Sequence, residues 1–141
     1  MTVHQLSIFL ENKFGKLSEL LALLGSENVR IIAATVADTS EFGILRLIVS
    51  DPEKAYTIFQ GHGVGANMTE VLAIKTDAEA GRFAEIISLF TQAGVSIEYM
   101  YCFSLDKQSI MIIRTNNKEA AFEVIRKHRI DHVNACDLIN L

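Results

Sequence analysis

The chain has 141 residues, half of them hydrophobic, and its 13 basic and 17 acidic side chains give a formal net charge of −4 at pH 7. This acidic balance argues against a nucleic-acid partner, which would require clustered Lys and Arg. The sequence has no run of about 20 apolar residues and no signal-peptide pattern, so we expect a soluble, cytoplasmic protein with no membrane partner. Cys102 and Cys136 have no closely spaced partner and are expected to be reduced, buried thiols.

The first predicted elements are a strand, a turn and a helix. Apolar residues alternate with a period of two over residues 2–10, as in a half-buried strand. After a turn at residues 11–15, apolar residues recur with the spacing of one helix face over residues 16–26: Leu17, Leu20, Leu21 and Leu24. A second strand over residues 29–37, a hairpin connection through residues 38–41 and a third strand over residues 43–50 follow.

A second helix begins after Asp51, which is the predicted N-cap, with Pro52 at the first helical position. It ends at Gly61, and a fourth strand begins near Asn67. The order is therefore βαββαβ, which predicts an α+β, ferredoxin-like fold with both helices on one face of an antiparallel sheet.

The second half of the chain repeats the first half without a gap. Gly81 follows Gly15 by 66 positions, and the same offset aligns identical residues toward the end of the chain. These further pairs are Glu19 with Glu85, Leu23 with Leu89, Val29 with Val95, Ile31 with Ile97, Ile44 with Ile110, Glu53 with Glu119, Ala55 with Ala121 and His62 with His128. An unbroken register of this length indicates an internal duplication.

We therefore predict two ferredoxin-like units, residues 1–66 and 67–141, with a shared strand at about residues 67–76 as the alternative at their boundary. In the second unit, helices are expected at 81–92 and from Asn117 to residue 127, a hairpin at 95–114, and a closing strand at 133–139. Tyr99, Tyr101 and Phe103 alternate along the hairpin, and we expect them to pack under the helices.

The turn between the first strand and the first helix is the best candidate for a binding site. Gly15 allows the backbone to lie close to an approaching molecule. The first turn of a helix presents unpaired N–H groups and the positive end of the helix dipole, which suits a carboxylate. The turn therefore predicts half of a small-anion site, and an amino acid is the ligand that we expect.

A tandem βαββαβ unit with a glycine turn after its first strand resembles the ACT domain, a regulatory module that binds amino acids. The stretch from Leu10 to Leu17 is similar to the family's Asp/Asn-x-Pro-Gly-x-Leu loop, with Asn12 three residues before Gly15. The resemblance covers nearly the whole chain. It implies two units side by side, with the ligand at the seam between them.

By this resemblance, the ligand is held by the turn of one unit and by the start of the second strand of the other. The implied contact residues are Asn12, Lys13, Phe14, Gly15, Lys16, Leu17, Ser96, Ile97 and Glu98. The Asn12 amide would bond polar groups of the ligand, the helix N-terminus would receive its α-carboxylate, and Glu98 would pair with its α-ammonium. The family's proline is Phe14 here and Ala80 in the second repeat, where Ala78 also replaces Asn12. We therefore expect one good site, with a degenerate second site as the alternative.

No nucleophile paired with a base, no metal-ligand set and no Walker-type phosphate loop occurs in the sequence. We therefore predict no catalytic residues, no metal and no cofactor. His128 and His132 are four residues apart but span an expected helix end, so we interpret them as solvated side chains.

The leading hypothesis is a stand-alone amino-acid sensor that acts as a homodimer or on an enzyme partner. The alternative is a protein-interaction or assembly module, or a regulatory subunit of an amino-acid biosynthetic enzyme, with a vestigial pocket. A third class, a single-strand RNA binder with exposed sheet aromatics, is disfavoured by the acidic charge.

Overall fold

The computed structural model describes residues 2–11, 13–38 and 42–140. Its elements, in chain order, are β1 (Thr2–Glu11), α1 (Lys16–Ser26), β2 (Ile31–Asp38), β3 (Phe42–Val49), α2 (Pro52–Gly61), β4 (Ala66–Asp77), α3 (Arg82–Gln92), β5 (Ile97–Leu105), β6 (Gln108–Thr115), α4 (Lys118–Lys127) and α5 (Ala135–Ile139). Residues 39–41 of the predicted hairpin connection lie outside the described residues. None of the helices in the described part of the chain is long and apolar enough to cross a membrane.

The chain divides into two compact units. The first unit is His4–Thr69 with Ile139–Leu141, and the second unit is Glu70–Leu138 with Met1–Val3. The first unit has the predicted βαββαβ succession, and the second unit repeats it as far as its second helix, which confirms the α+β, ferredoxin-like fold class. The proposed domain limits at residues 66 and 67 stay a prediction.

In the first unit the strands are ordered β2-β3-β1-β4. β3 pairs antiparallel with both β1 and β2, with Leu47 opposite Leu6 of β1 and opposite Ala34 of β2. One face of these strands is buried with the apolar residues of α1 and α2. The fully buried residues of this core include Leu6, Ile8, Leu20, Leu24, Leu45, Leu47, Ala55 and Phe59. Full burial of each large apolar side chain contributes about 1.5–3 kcal/mol, so this packing is what orders the two helices.

The second unit has the strand order β4-β6-β5, again antiparallel, with Leu72 of β4 opposite Ile113 of β6. Helices α3 and α4 cover one face of these strands. The buried residues of this second core are Leu72, Ile74, Ile86, Phe90, Val95, Met111, Ile113, Ala121, Val124 and Ile125. The predicted arrangement of helices on one sheet face is therefore confirmed in each unit.

The predicted closing strand at residues 133–139 is wrong. The chain makes only one isolated bridge there, His132 opposite Ile74, and then turns into the short helix α5. Leu138 N donates to Asn134 O at 2.9 Å, which is the i to i−4 hydrogen bond of a helix. Val133 and Leu138 are five positions apart, a spacing that does not follow the period of two that a half-buried strand needs.

The prediction that Tyr99, Tyr101 and Phe103 pack under the helices is also wrong. A β-bulge between Ile97 and Tyr99 shifts the register by one residue, which moves every following side chain to the other face of the sheet. Tyr101 therefore lies opposite Ile112, on the face away from α3 and α4, whereas Ile97 still packs against the helical core.

Both cysteines are exposed, which corrects the prediction that they are buried. Cys102 lies on β5, which is the last strand of the described sheet order at that end. Partial desolvation raises the pKa of the Cys102 thiol, so it is held in the protonated, less reactive form.

The second helix of each unit begins at a side-chain cap. Asp51 Oδ1 accepts a hydrogen bond from Lys54 N at 3.1 Å, and Asn117 Oδ1 accepts one from Ala120 N at 3.1 Å. These two N-caps were both predicted, and they occupy the same position in the two repeats.

Replacing Asn117 with Ala removes the cap and should lower the free energy of unfolding by about 1 kcal/mol. Asn117→Asp keeps the acceptor oxygen and should stay close to the wild-type value. Urea denaturation followed by circular dichroism measures both. Equal stability of Asn117→Ala and wild type would contradict the assigned role of the cap.

Candidate functional site

The turn after β1 is shaped by Gly15. This glycine has φ 80° and ψ −4°, in the left-handed region that costs a residue with a Cβ roughly 1–2 kcal/mol. Lys16 N donates to Lys13 O at 3.1 Å, and Glu19 N donates to Gly15 O at 3.0 Å as the first hydrogen bond of α1. The chain therefore passes directly from the strand into the helix, as the sequence predicted.

The turn is open to solvent. Phe14 is fully exposed, and Lys13 and Gly15 are exposed as well, whereas Leu17 packs against the core of the first unit. Asn12, the predicted amide contact, lies outside the described residues. A small molecule thus has free access to the first turn of α1.

Two ion pairs flank this turn. The Lys13 ammonium lies 2.9 Å from Glu11, and its hydrogen bond and charge hold the pKa of the Glu11 carboxyl below its usual range. The Lys16 ammonium lies 3.9 Å from Glu19. Exposed pairs of this kind contribute little to stability, so either lysine can turn toward an anion at low energetic cost.

The other predicted contacts lie at the start of β5. Ser96 N donates to Asn116 Oδ1 at 3.1 Å, and Ser96 O accepts from Asn116 N at 3.3 Å. The carboxylate of Glu98 is 3.5 Å from Arg114 Nε, and about half of the Glu98 side chain is exposed. Glu98 therefore already has a cationic partner within its own unit.

The structure brings the predicted residues together in two groups. Lys13, Phe14, Gly15, Lys16 and Leu17 form one turn of the first unit, and Ser96, Ile97 and Glu98 form one strand start of the second unit. That the two groups hold one ligand stays a prediction.

The equivalent turn in the second unit carries different side chains on the same backbone. Gly81 has φ 85°, and Glu85 N donates to Gly81 O at 3.0 Å. Here Arg82 Nε donates to Thr76 Oγ1 at 3.3 Å, and its guanidinium also contacts Glu85 at 2.9 Å. The side chain of Arg82 is therefore held along the start of α3.

The sequence reasoning missed a groove in the second unit. It has a volume of about 600 Å³ and lies between the end of β4, α3 and the segment after α4. Its lining residues are Lys75, Thr76, Asp77, Arg82, Glu85, Ile86, Ser88, Leu89, Gln92, Gln108, His128, Arg129, Ile130 and Asp131. The signal that could have found it is a comparison of the two repeats for polar residues present in only one of them.

Within the described residues, no group of three or more His, Cys, Asp and Glu side chains is arranged to hold a metal ion.

Comparison with known proteins identifies the fold. The family model described as an ACT domain pair matches residues 1–141. Protein BT0572 from Bacteroides thetaiotaomicron is 39% identical, with a TM-score of 0.96 over 100% of this chain and 98% of that chain. None of the curated proteins compared with this chain matches it.

Two more distant structures share the fold alone. The ligand-free regulatory subunit of aspartate kinase from Thermus thermophilus is 11% identical, with a TM-score of 0.63 over 88% of this chain and 90% of that chain. The regulatory subunit of aspartate kinase from Thermus flavus is 14% identical, with a TM-score of 0.62 over 90% of this chain and 93% of that chain. The match over all 141 residues shows that the chain belongs to the ACT domain pair family.

Proposed function

We propose that this ACT domain pair is a regulatory protein that binds an amino acid at the Gly15 turn. The observation that carries the proposal is the open first turn of α1, which the left-handed Gly15 presents to solvent. Lys16 N and Glu19 N already donate within the turn, so the donors left for a ligand in the described first turn are the N–H groups of Leu17 and Ser18. Together with the helix dipole they favour a carboxylate. Membership of a family of regulatory modules supports the same reading.

In the proposed complex, the α-carboxylate of the ligand bonds the N-terminus of α1, and Asn12 contributes its amide. Glu98 pairs with the α-ammonium. Its contact with Arg114 is half exposed, and such pairs are worth about 0.2–1 kcal/mol, so a ligand ammonium can compete for the carboxylate. Ser96 and Ile97 complete the proposed contacts through their backbone and side chain.

The proposed regulation is a population shift. An amino acid that contacts both the turn and the start of β5 binds best to the conformation in which both groups reach it, so its binding increases the population of that conformation. We propose that the signal passes to a second copy of the chain or to the catalytic subunit of an enzyme. Solved structures described as regulatory subunits of aspartate kinase have the same fold, which makes an amino-acid biosynthetic enzyme a reasonable class of partner.

A second candidate function, a protein-interaction module, is favoured by an exposed aromatic pair on the first unit. The rings of Phe9 and Phe42 have centroids 5.1 Å apart, and the two residues are 62% and 42% exposed. Contiguous exposed apolar surface is a feature of contact sites between proteins, and these two rings adjoin each other. The ligand screen described next separates the two functions.

A thermal-shift screen against the twenty amino acids should give at least one stereospecific hit. A ligand that binds only the folded chain adds about 2.7 kcal/mol at a hundredfold excess over its Kd, which corresponds to roughly 5–10 °C in Tm for a chain of this size. The D-enantiomer of the hit is the matched control and should shift Tm much less. A flat screen would contradict the sensor function and favour the interaction module.

Glu98→Gln tests the proposed ammonium contact. Loss of one charged hydrogen bond to the ligand should weaken binding by about 1.5–3 kcal/mol, or roughly 10- to 100-fold in Kd, measured by isothermal titration calorimetry with the amino acid found in the screen. Glu123→Gln is the matched control, because Glu123 also forms an exposed ion pair in the second unit, with Arg126 at 2.6 Å.

Neither variant should change the Tm of the ligand-free protein by more than a few degrees, since both affect exposed pairs. Equal affinities of Glu98→Gln and Glu123→Gln would remove Glu98 from the proposed site.

A further inference from the structure

The groove in the second unit combines an apolar floor with a charged rim. Ile86 is buried at the floor, and Leu89 and Ile130 are partly buried beside it in the packing around the second core. Lys75 and Asp131 lie on the rim in register with one another, because Lys75 N donates to Asp131 O at 2.9 Å. The groove therefore offers contacts to a molecule that has both an apolar part and charged groups.

The first unit has the same backbone at this place but lacks the charged side chains of Lys75, Arg129 and Asp131, whose positions are taken by Phe9, Gly63 and Gly65. Phe9 N donates to Gly65 O at 3.4 Å, which is the counterpart of the bond between Lys75 and Asp131 at an offset of 66 residues. Three uncharged polar positions are apolar in the first unit: Leu10 for Thr76, Ala22 for Ser88 and Phe42 for Gln108. The other polar positions of the groove stay polar in both units: Glu11 for Asp77, Lys16 for Arg82, Glu19 for Glu85, Ser26 for Gln92 and His62 for His128. The fold thus forms without Lys75, Arg129 and Asp131, and the presence of these three charges in one unit needs another explanation.

Among the groove residues, Arg129 gives the strongest indication of a role in binding. Its φ is 51°, in the left-handed region, and the equivalent Gly63 has φ 69°. A side chain in this region costs roughly 1–2 kcal/mol relative to glycine. The left-handed conformation itself is the usual ending of a helix, since the residues that follow the C-caps of α1, α2 and α3 adopt it as well. What distinguishes the second unit is a guanidinium at this position, where the first unit has glycine.

The charges on the rim are also available to a ligand. Within the described part of the chain, the side chains of Lys75, Arg129 and Asp131 form no hydrogen bond or ion pair. Arg82 differs, because its guanidinium is already held by Thr76 and Glu85. The uncommitted groups are thus two cations and one carboxylate.

We propose that this groove is a second binding site, for an α-amino acid with a branched aliphatic side chain. Arg129 and Lys75 bind its carboxylate, since a guanidinium offers a pair of parallel donors to the two oxygens. Asp131 accepts from its ammonium group, and the aliphatic side chain lies on Ile86, Leu89 and Ile130. The ligand class rests on the proposed function, whereas the site is separate from the Gly15 turn and lies entirely within the second unit.

The test is a titration of the ¹⁵N-labelled full chain with L-leucine, followed by two-dimensional NMR. The amide signals of Thr76, Gln92 and Asp131 should shift with saturating behaviour. 4-Methylpentanoate, which has the same carbon skeleton and carboxylate but no ammonium, should bind at least tenfold more weakly. Equal binding of the two molecules would overturn the assignment of Asp131.

Arg129→Gly is the decisive variant, because it restores the residue of the first unit and relieves the left-handed strain. It should fold at least as stably as wild type and bind L-leucine at the groove at least tenfold more weakly. Lys75→Gln should weaken binding in the same direction. Lys54→Gln, which removes one positive charge from α2, is the matched control and should leave the affinity unchanged.

The outcomes separate this site from the proposed function. Shifts confined to Gly15, Lys16 and Leu17 would overturn the groove site and leave the sensor function standing. Shifts at the groove that are lost in Arg129→Gly support it. Unchanged affinity in Arg129→Gly would overturn it, and the absence of any shift with all twenty amino acids would overturn both proposals.

Discussion

The apolar face that each unit buries under its two helices is the constraint on which the rest of the structure depends. Helices α1 to α4 are only 10 or 11 residues long, too short to be stable alone in water. They persist because residues such as Leu24 and Phe90 are fully buried against the strands. The glycine turns follow from this packing, since the chain must leave the strand and enter the helix within a few residues. The position of the candidate binding turn is therefore fixed by the core beneath it.

Duplication allowed the two units to keep one backbone and to change its chemistry. The shared features are those that the backbone needs: glycine turns with φ near 80°, an N-cap at the second helix, and a bulge after Ile31 and after Ile97. The differing features are side chains on the same frame. An exposed Phe9 in one unit is Lys75 in the other, and Gly63 is Arg129. Substitutions that leave the backbone unchanged alter what the surface can bind. A comparison of the two repeats therefore separates the residues that the fold needs from those that differ for another reason.

Local patterns predicted most of the fold. The alternation of β1, the stripe of α1 and the caps at Asp51 and Asn117 each depend on residues that are close in sequence, so they could be predicted without the structure. The face of the sheet on which each β5 side chain lies could not be predicted, because one extra residue at the bulge moves all later side chains to the opposite face. The strand expected at the end of the chain was also wrong, because it was inferred from the repeat offset to β4, whereas the chain forms the helix α5 at Ala135–Ile139.

The candidate sites differ in the same way. The turn at Gly15 is one continuous stretch, so the sequence alone located it. The groove draws residues from the end of β4 and from α3, and also from the segment around Arg129, which follows them by tens of positions and meets them only in the folded unit. The spacing of residues within one helix or strand cannot predict such a cluster. Only the alignment of the two repeats indicates the groove, because several polar residues of the second repeat stand where the first repeat has apolar residues or glycine.

The most direct test of amino-acid binding is a crystal structure of the full chain grown with the amino acid that stabilises it most. The account predicts a bound amino acid whose carboxylate accepts hydrogen bonds from the backbone N–H groups at the start of α1, beside Gly15. An amino acid bound elsewhere, with the Gly15 turn empty at saturating concentration, would contradict the proposed site.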